Sequence, residues 1–113
     1  MIKEILQAAG VLFQEDGGRF LRLPDQTYAD IFDDLDVDGT DPVPSAPGLT
    51  KVYTHDVRVE VYEPLPDDAK EAAIEEGLNA MGLPWTKQAR YWLPDVQRYQ
   101  VIYEFTYTEK RRN

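Results

Sequence analysis

Asp34-Leu35-Asp36-Val37-Asp38-Gly39 sets three carboxylates at alternate positions ahead of a glycine. That spacing opens a calcium loop, where alternate acids converge on one cation and the glycine allows a tight turn. The rest of the pattern is missing. Ser45 stands where a bidentate Glu closes such a shell, and Asp41, followed by Pro42, takes the usually aliphatic position. The competing reading, a solvated acidic loop, fits these residues better, so no metal ligands are assigned.

Other routes to chemistry are thin. The single histidine, His55, falls on the apolar side of an alternating run, where a hydrogen-bonded core residue is commoner than a catalytic base. Ser45 is the only serine, and the chain has no cysteine, which removes thiol nucleophiles, disulfides and thiolate metal sites. The glycines match neither the dinucleotide nor the P-loop spacing, and no cofactor is expected. Two carboxylates could act as acid and base, but nothing selects a pair from 21 Asp and Glu. The expectation is a protein that is not an enzyme.

Charge and aromatic residues carry more information. With 12 Lys and Arg against 21 acids the net charge is -9, which disfavours binding nucleic acid through its phosphates. Seven carboxylates lie between Asp25 and Asp41, with no Lys or Arg between Arg22 and Lys51. The opposite sign collects in Lys110-Arg111-Arg112. Poles of opposite charge can orient subunits head to tail, so Asp34, Asp36, Asp38, Asp41, Arg111 and Arg112 are candidate self-assembly contacts. Trp85 and Trp92 join them, because they fall outside the clean alternation and tryptophan is enriched in binding hot spots.

The elements that must position these residues follow from periodicity. Ile2, Ile5, Leu6, Ala9, Leu12 and Phe13 share a helical face, predicting an amphipathic helix over 2–13. Residues 27–38 fit a helical stripe and are also rich in strand formers; pattern alone leaves both open. Residues 37–50 read as a long acidic Pro/Gly loop. Strict alternation over 51–62 and 98–108 predicts antiparallel strands. Residues 66–81 read as a helix with a capping box at Asp68 and Glu71. Arg90-Tyr91-Trp92-Leu93 before Pro94-Asp95 predicts a hairpin with 98–108. The expected architecture is a single α+β domain over 1–113, in the order α-β-β-α-β-β. About four antiparallel strands carry two helices on one face, and a short basic tail covers 109–113. The longest apolar run, about six residues at 8–13, is far short of the ~20 of a membrane span, and nothing reads as a signal peptide. No membrane is expected as a partner.

In order and texture the chain resembles the tail-completion, or tail-terminator, proteins of long-tailed phages and prophages. The likeness runs through the helix at 2–13 and Thr27-Tyr28-Ala29-Asp30-Ile31-Phe32, which tips 27–38 towards strand. It continues through Asp56-Val57-Arg58-Val59-Glu60-Val61-Tyr62, Gly82-Leu83-Pro84-Trp85, and Tyr99-Gln100-Val101-Ile102-Tyr103-Glu104-Phe105-Thr106-Tyr107. The resemblance implies a virion protein assembled in a bacterial cytoplasm. It implies a homo-oligomeric ring, commonly a hexamer, that caps the tail tube and joins it to the head connector. Tail-tube and head-connector proteins would then be its partners. The rival class is an acidic protein-binding module of the DNA-mimic kind; a third is a small carboxylate enzyme or calcium-loaded domain.

Overall fold

The computed structural model describes residues 1–15, 24–42 and 49–112, with backbone alone at 37–42, 49–51 and 111–112. The elements, in chain order, are α1 (Ile2–Ala8), β1 (Leu12–Glu15), β2 (Tyr28–Pro42), β3 (Leu49–Glu63), α2 (Asp68–Ala80), β4 (Trp85–Lys87), β5 (Tyr91–Leu93) and β6 (Arg98–Arg112). The α+β class stands, with two helices against one sheet. That sheet is mixed and six-stranded rather than four-stranded and antiparallel: the order is β1-β2-β3-β6-β4, with β5 also on β6.

The two extra strands, β1 and β4, arise from short segments whose pattern is masked by their neighbours. The helix expected over 2–13 stops at Ala8 because Gly10 adopts φ +72°. Val11 N–H then donates to the Leu6 carbonyl at 2.9 Å and Gly10 N–H to Gln7 at 3.1 Å, closing the helix in a Schellman motif. Leu12 and Phe13, which fit the helical stripe, instead begin β1 and pair in parallel with Tyr28 and Ala29. Three-residue β4 is too short to show alternation at all; it pairs with β6, Trp85 opposite Phe105. The second helix is capped one residue earlier than expected. Asp67 accepts from Lys70 N–H at 3.2 Å and also takes the Thr27 hydroxyl at 2.6 Å.

The long loop expected over 37–50 is mostly absent. β2 continues through Pro42 and β3 begins at Leu49, in register from Val37 opposite Tyr53 to Pro42 opposite Leu49. A bulge at Asp38 absorbs the one residue out of step. Pairing along β3 evidently outweighs the poor strand propensity of Gly39 and Pro42. Residues 43–48, the remainder of that loop, lie outside the described residues. The basic tail expected over 109–113 is likewise strand as far as Arg112, paired with β3.

The core lies between the helices and one face of the sheet. Ile2, Leu6, Ile74 and Leu78 pack on Ala29, Ile31, Val57, Val59, Val61, Val101, Tyr103 and Phe105. Gly77 lets the helices touch: a Cβ there would meet Ile5 Cγ2 at 2.6 Å. A 13-residue helix is about 20 Å long, whereas each of β2, β3 and β6 has 15 residues, or about 50 Å. The three long strands therefore outrun their helices and continue as a ribbon. This is why the molecule measures 54 × 28 × 22 Å with a radius of gyration of 16.8 Å, against about 13 Å for a compact domain of this length.

Candidate assembly surface

β3 is the middle strand of the ribbon, so its residues set the rows. Leu35, His55 and Tyr107 form one row on the helix side, and Asp34, Asp56 and Thr106 form the next on the other side. Outwards from there no helix among the described residues lies over the three strands. Along the outer side of β2, β1 pairs only residues 28–31. Along the outer side of β6, β5 and β4 pair residues 98–100 and 103–105, and Gln88 N–H donates to Ile102 between them. Among the described residues, no strand pairs with the outer side of 32–42 or of 106–112.

The candidate contacts fall on these two borders. Asp34 and Asp36 are exposed on β2, Asp38 sits at its bulge, and Asp41 stands level with Thr50 and Arg112. Arg111 and Arg112 lie at the end of β6. Asp34 and Asp36 sit on extended chain about 7 Å apart rather than on the tight turn of a calcium loop. Among the described residues no group of three acids or histidines is arranged to hold a metal.

The two tryptophans separate. Trp85 is half-buried, tilted against Tyr103 at 5.9 Å, and donates to Asn79 Oδ1 at 2.9 Å, so it ties β4 to α2. Trp92 is 46% exposed, edge-on to Tyr99 at 4.9 Å. Trp92 offers the larger exposed surface of the pair.

Two polar clusters went unread in the sequence. His55 is buried, its ring stacked on Tyr107 at 4.4 Å. Nδ1 lies 3.0 Å from the Asp33 carboxylate and Nε2 lies 3.1 Å from Glu109 Oε1. Burial alone would push the imidazole down, but the two carboxylates prevail and raise it above its ordinary value. Both nitrogens are engaged as donors in the imidazolium, and the side chain fastens β2, β3 and β6 together. Period-two alternation put His55 on the right face; nothing in it could foretell that acids from both flanking strands would meet there.

The second cluster sits under α2. Glu63 is fully buried and Glu71 nearly so. Lys87 Nζ lies 2.9 Å from Glu71 and 2.8 Å from Glu75, and Arg90 Nη2 lies 2.6 Å from Glu71. Tyr103 donates its hydroxyl to Glu75 at 2.9 Å. Arg90 Nε lies 3.3 Å from Glu63 Oε1. Burial, reinforced by the neighbouring Glu71, pushes the Glu63 carboxyl up to about 8; burial opposes the charge of Glu71 too, but its hydrogen bonds with Glu63, Arg90 and Lys87 prevail and hold it below the usual range. These groups are spent on one another, clamping α2 to β4 and the segment after it.

An open groove of about 500 Å³ runs beside the ribbon, lined by Asp34, Asp56, Arg58, Trp85 and Glu104 among others. His55 faces the opposite side of the sheet. No family model and no curated protein matches this chain. No described helix is long and apolar enough to cross a membrane.

Proposed function

We propose that the protein is a non-enzymatic structural subunit of a phage or prophage tail. In this reading it is a tail-terminator or tail-completion protein, whose copies assemble into a ring that caps the tail tube and joins it to the head. The observation that carries the reading is the ribbon: a three-stranded extension, unpaired on both borders among the described residues, with acids along one and cations along the other. A strand with an unpaired border is a template for another strand. A closed ring needs two different patches per subunit, and two borders of opposite sign meet that need. The polar clusters support a scaffold as well, since His55, Lys87 and Arg90 each pair with carboxylates from other elements.

Molar mass measured by light scattering across a hundredfold range of concentration tests the proposal. A ring-sized species supports it. A persistent monomer that binds a basic DNA-binding protein in a salt-sensitive way replaces it with the acidic-module reading. In a phage carrying the gene, changing Asp34, Asp36, Asp38 and Asp41 to Asn should leave folding nearly intact and lower the titre; an undiminished titre counts against the proposal.

A further inference from the structure

The geometry points to a specific junction: the β6 border of one copy, residues 106–112, adds in parallel to the β2 border of the next copy, residues 32–42. This inference rests on the ring reading and names the surface that builds it. β2 and β6 are both antiparallel to β3 and therefore parallel to each other. When copies are related by rotation about an axis along the ribbon, strand direction is preserved, so the β6 of one copy and the β2 of its neighbour meet in parallel. Each junction removes one border of each sign, and closure of the ring removes them all.

Charge selects this pairing over its alternatives. Residues 32–42 contain Asp33, Asp34, Asp36, Asp38 and Asp41 and no cation; residues 106–112 contain Lys110, Arg111 and Arg112 against the single acid Glu109. The internal register already places opposite signs at the same level: Asp41 and Arg112 both stand opposite Thr50, and Gly39, next to Asp38, is level with Lys110. A two-fold dimer through β2 would set acids against acids, and one through β6 cations against cations, which disfavours both. The bulge at Asp38 and the missing N–H of Pro42 also make β2 a poor template for indiscriminate pairing. A chosen partner must bring compensating cations.

Two variants test the junction. Arg111→Glu with Arg112→Glu makes both borders acidic, and Asp36→Lys, Asp38→Lys and Asp41→Lys together make both basic. Each variant alone should stay monomeric at concentrations where the wild type is a ring, with unchanged circular dichroism. An equimolar mixture should recover the ring, with the two copies alternating. Rings formed by either variant alone, or a mixture of well-folded variants that fails to assemble, overturn the junction while leaving the ring intact. A wild type monomeric at every concentration overturns junction and ring together.

The absence of native cysteine permits a geometric check. Thr108→Cys combined with Asp36→Cys places thiols two strands apart within one copy, about 10 Å, too far to bridge. Oxidation should yield a ladder of covalent multimers, with Asp34→Cys and Thr40→Cys as alternative partners should the junction be staggered. Dimers from the Thr108→Cys or Asp36→Cys single variant would indicate two-fold pairing and overturn the proposal.

Discussion

The inner and outer halves of the same three strands make an instructive pair. In the inner half, Ile31, Val59 and Tyr103 form a row that α1 and α2 cover, and none is more than 4% exposed. Two rows further out on the same side, the row of Leu35, His55 and Tyr107 obeys the same alternation, yet Leu35 is 47% exposed. Alternation reports which side of a sheet a residue takes; what lies against that side depends on helix length. Cohesion changes accordingly, from apolar burial under the helices to ladder hydrogen bonds and the His55 bridge in the ribbon.

The widest contrast should come from paired truncations. Leu78→Ala, at a fully buried site, is expected to cost about 3 kcal/mol, lowering the melting temperature by on the order of 10 °C. Leu35→Ala should cost less than about 1 kcal/mol. Equal losses in thermal unfolding would erase the distinction between the halves. Next are the tryptophans. Trp85→Ala loses packing on Tyr103 and the bond to Asn79, for about 2 kcal/mol in urea unfolding. Trp92→Ala should cost under about 1 kcal/mol in the isolated subunit.

Acidity sharpens the contrast further. Glu63 is held neutral in the folded body, so the folded state binds a proton that the unfolded chain releases near its ordinary value of 4.5. Its contribution is greatest below that value and falls as pH rises towards about 8. Denaturant midpoints of the wild type should decline across this window more than those of Glu63→Gln; identical slopes would remove Glu63 from the account. His55 acts in the ribbon. Its folded value is raised, so its stabilisation is complete below the ordinary 6.5 and is lost as pH climbs through the higher folded value. With both carboxylates more than a third exposed, solvent screening leaves an effect of about 1 kcal/mol. His55→Gln should accelerate amide exchange at 53–57 and 105–109 roughly fivefold at pH 6, leaving the inner rows unchanged.

The sequence was most legible where elements were long and periodic. The alternation at 51–62 and 98–108 and the helix at 66–81 each located an element of the fold, because many positions repeat one signal. It misled where one residue overrode its neighbours. Gly10 ended α1 early and released Leu12 and Phe13 into β1. Pairing across β3 carried β2 past Gly39 to Pro42 through a segment that reads locally as loop. Of the two tryptophans, Trp85 is half-buried against Tyr103 and bonded to α2, while Trp92 is the more exposed. Their types are identical, and only the tertiary position of α2 tells them apart. Neither polar cluster was foreseen, since each joins residues from strands or helices far apart in the chain.

The place of β6 in the sheet also governs when the molecule can form. Val59 and Tyr103, directly paired, are separated by forty-four positions, and α2, β4 and β5 must be made before that partner exists. A chain leaving the ribosome therefore presents the β2–β3 hairpin without α2 and β6 for seconds before the sheet can close. Such distant pairings slow folding. The aspartates of β2, all of one sign, disfavour contact between two such hairpins.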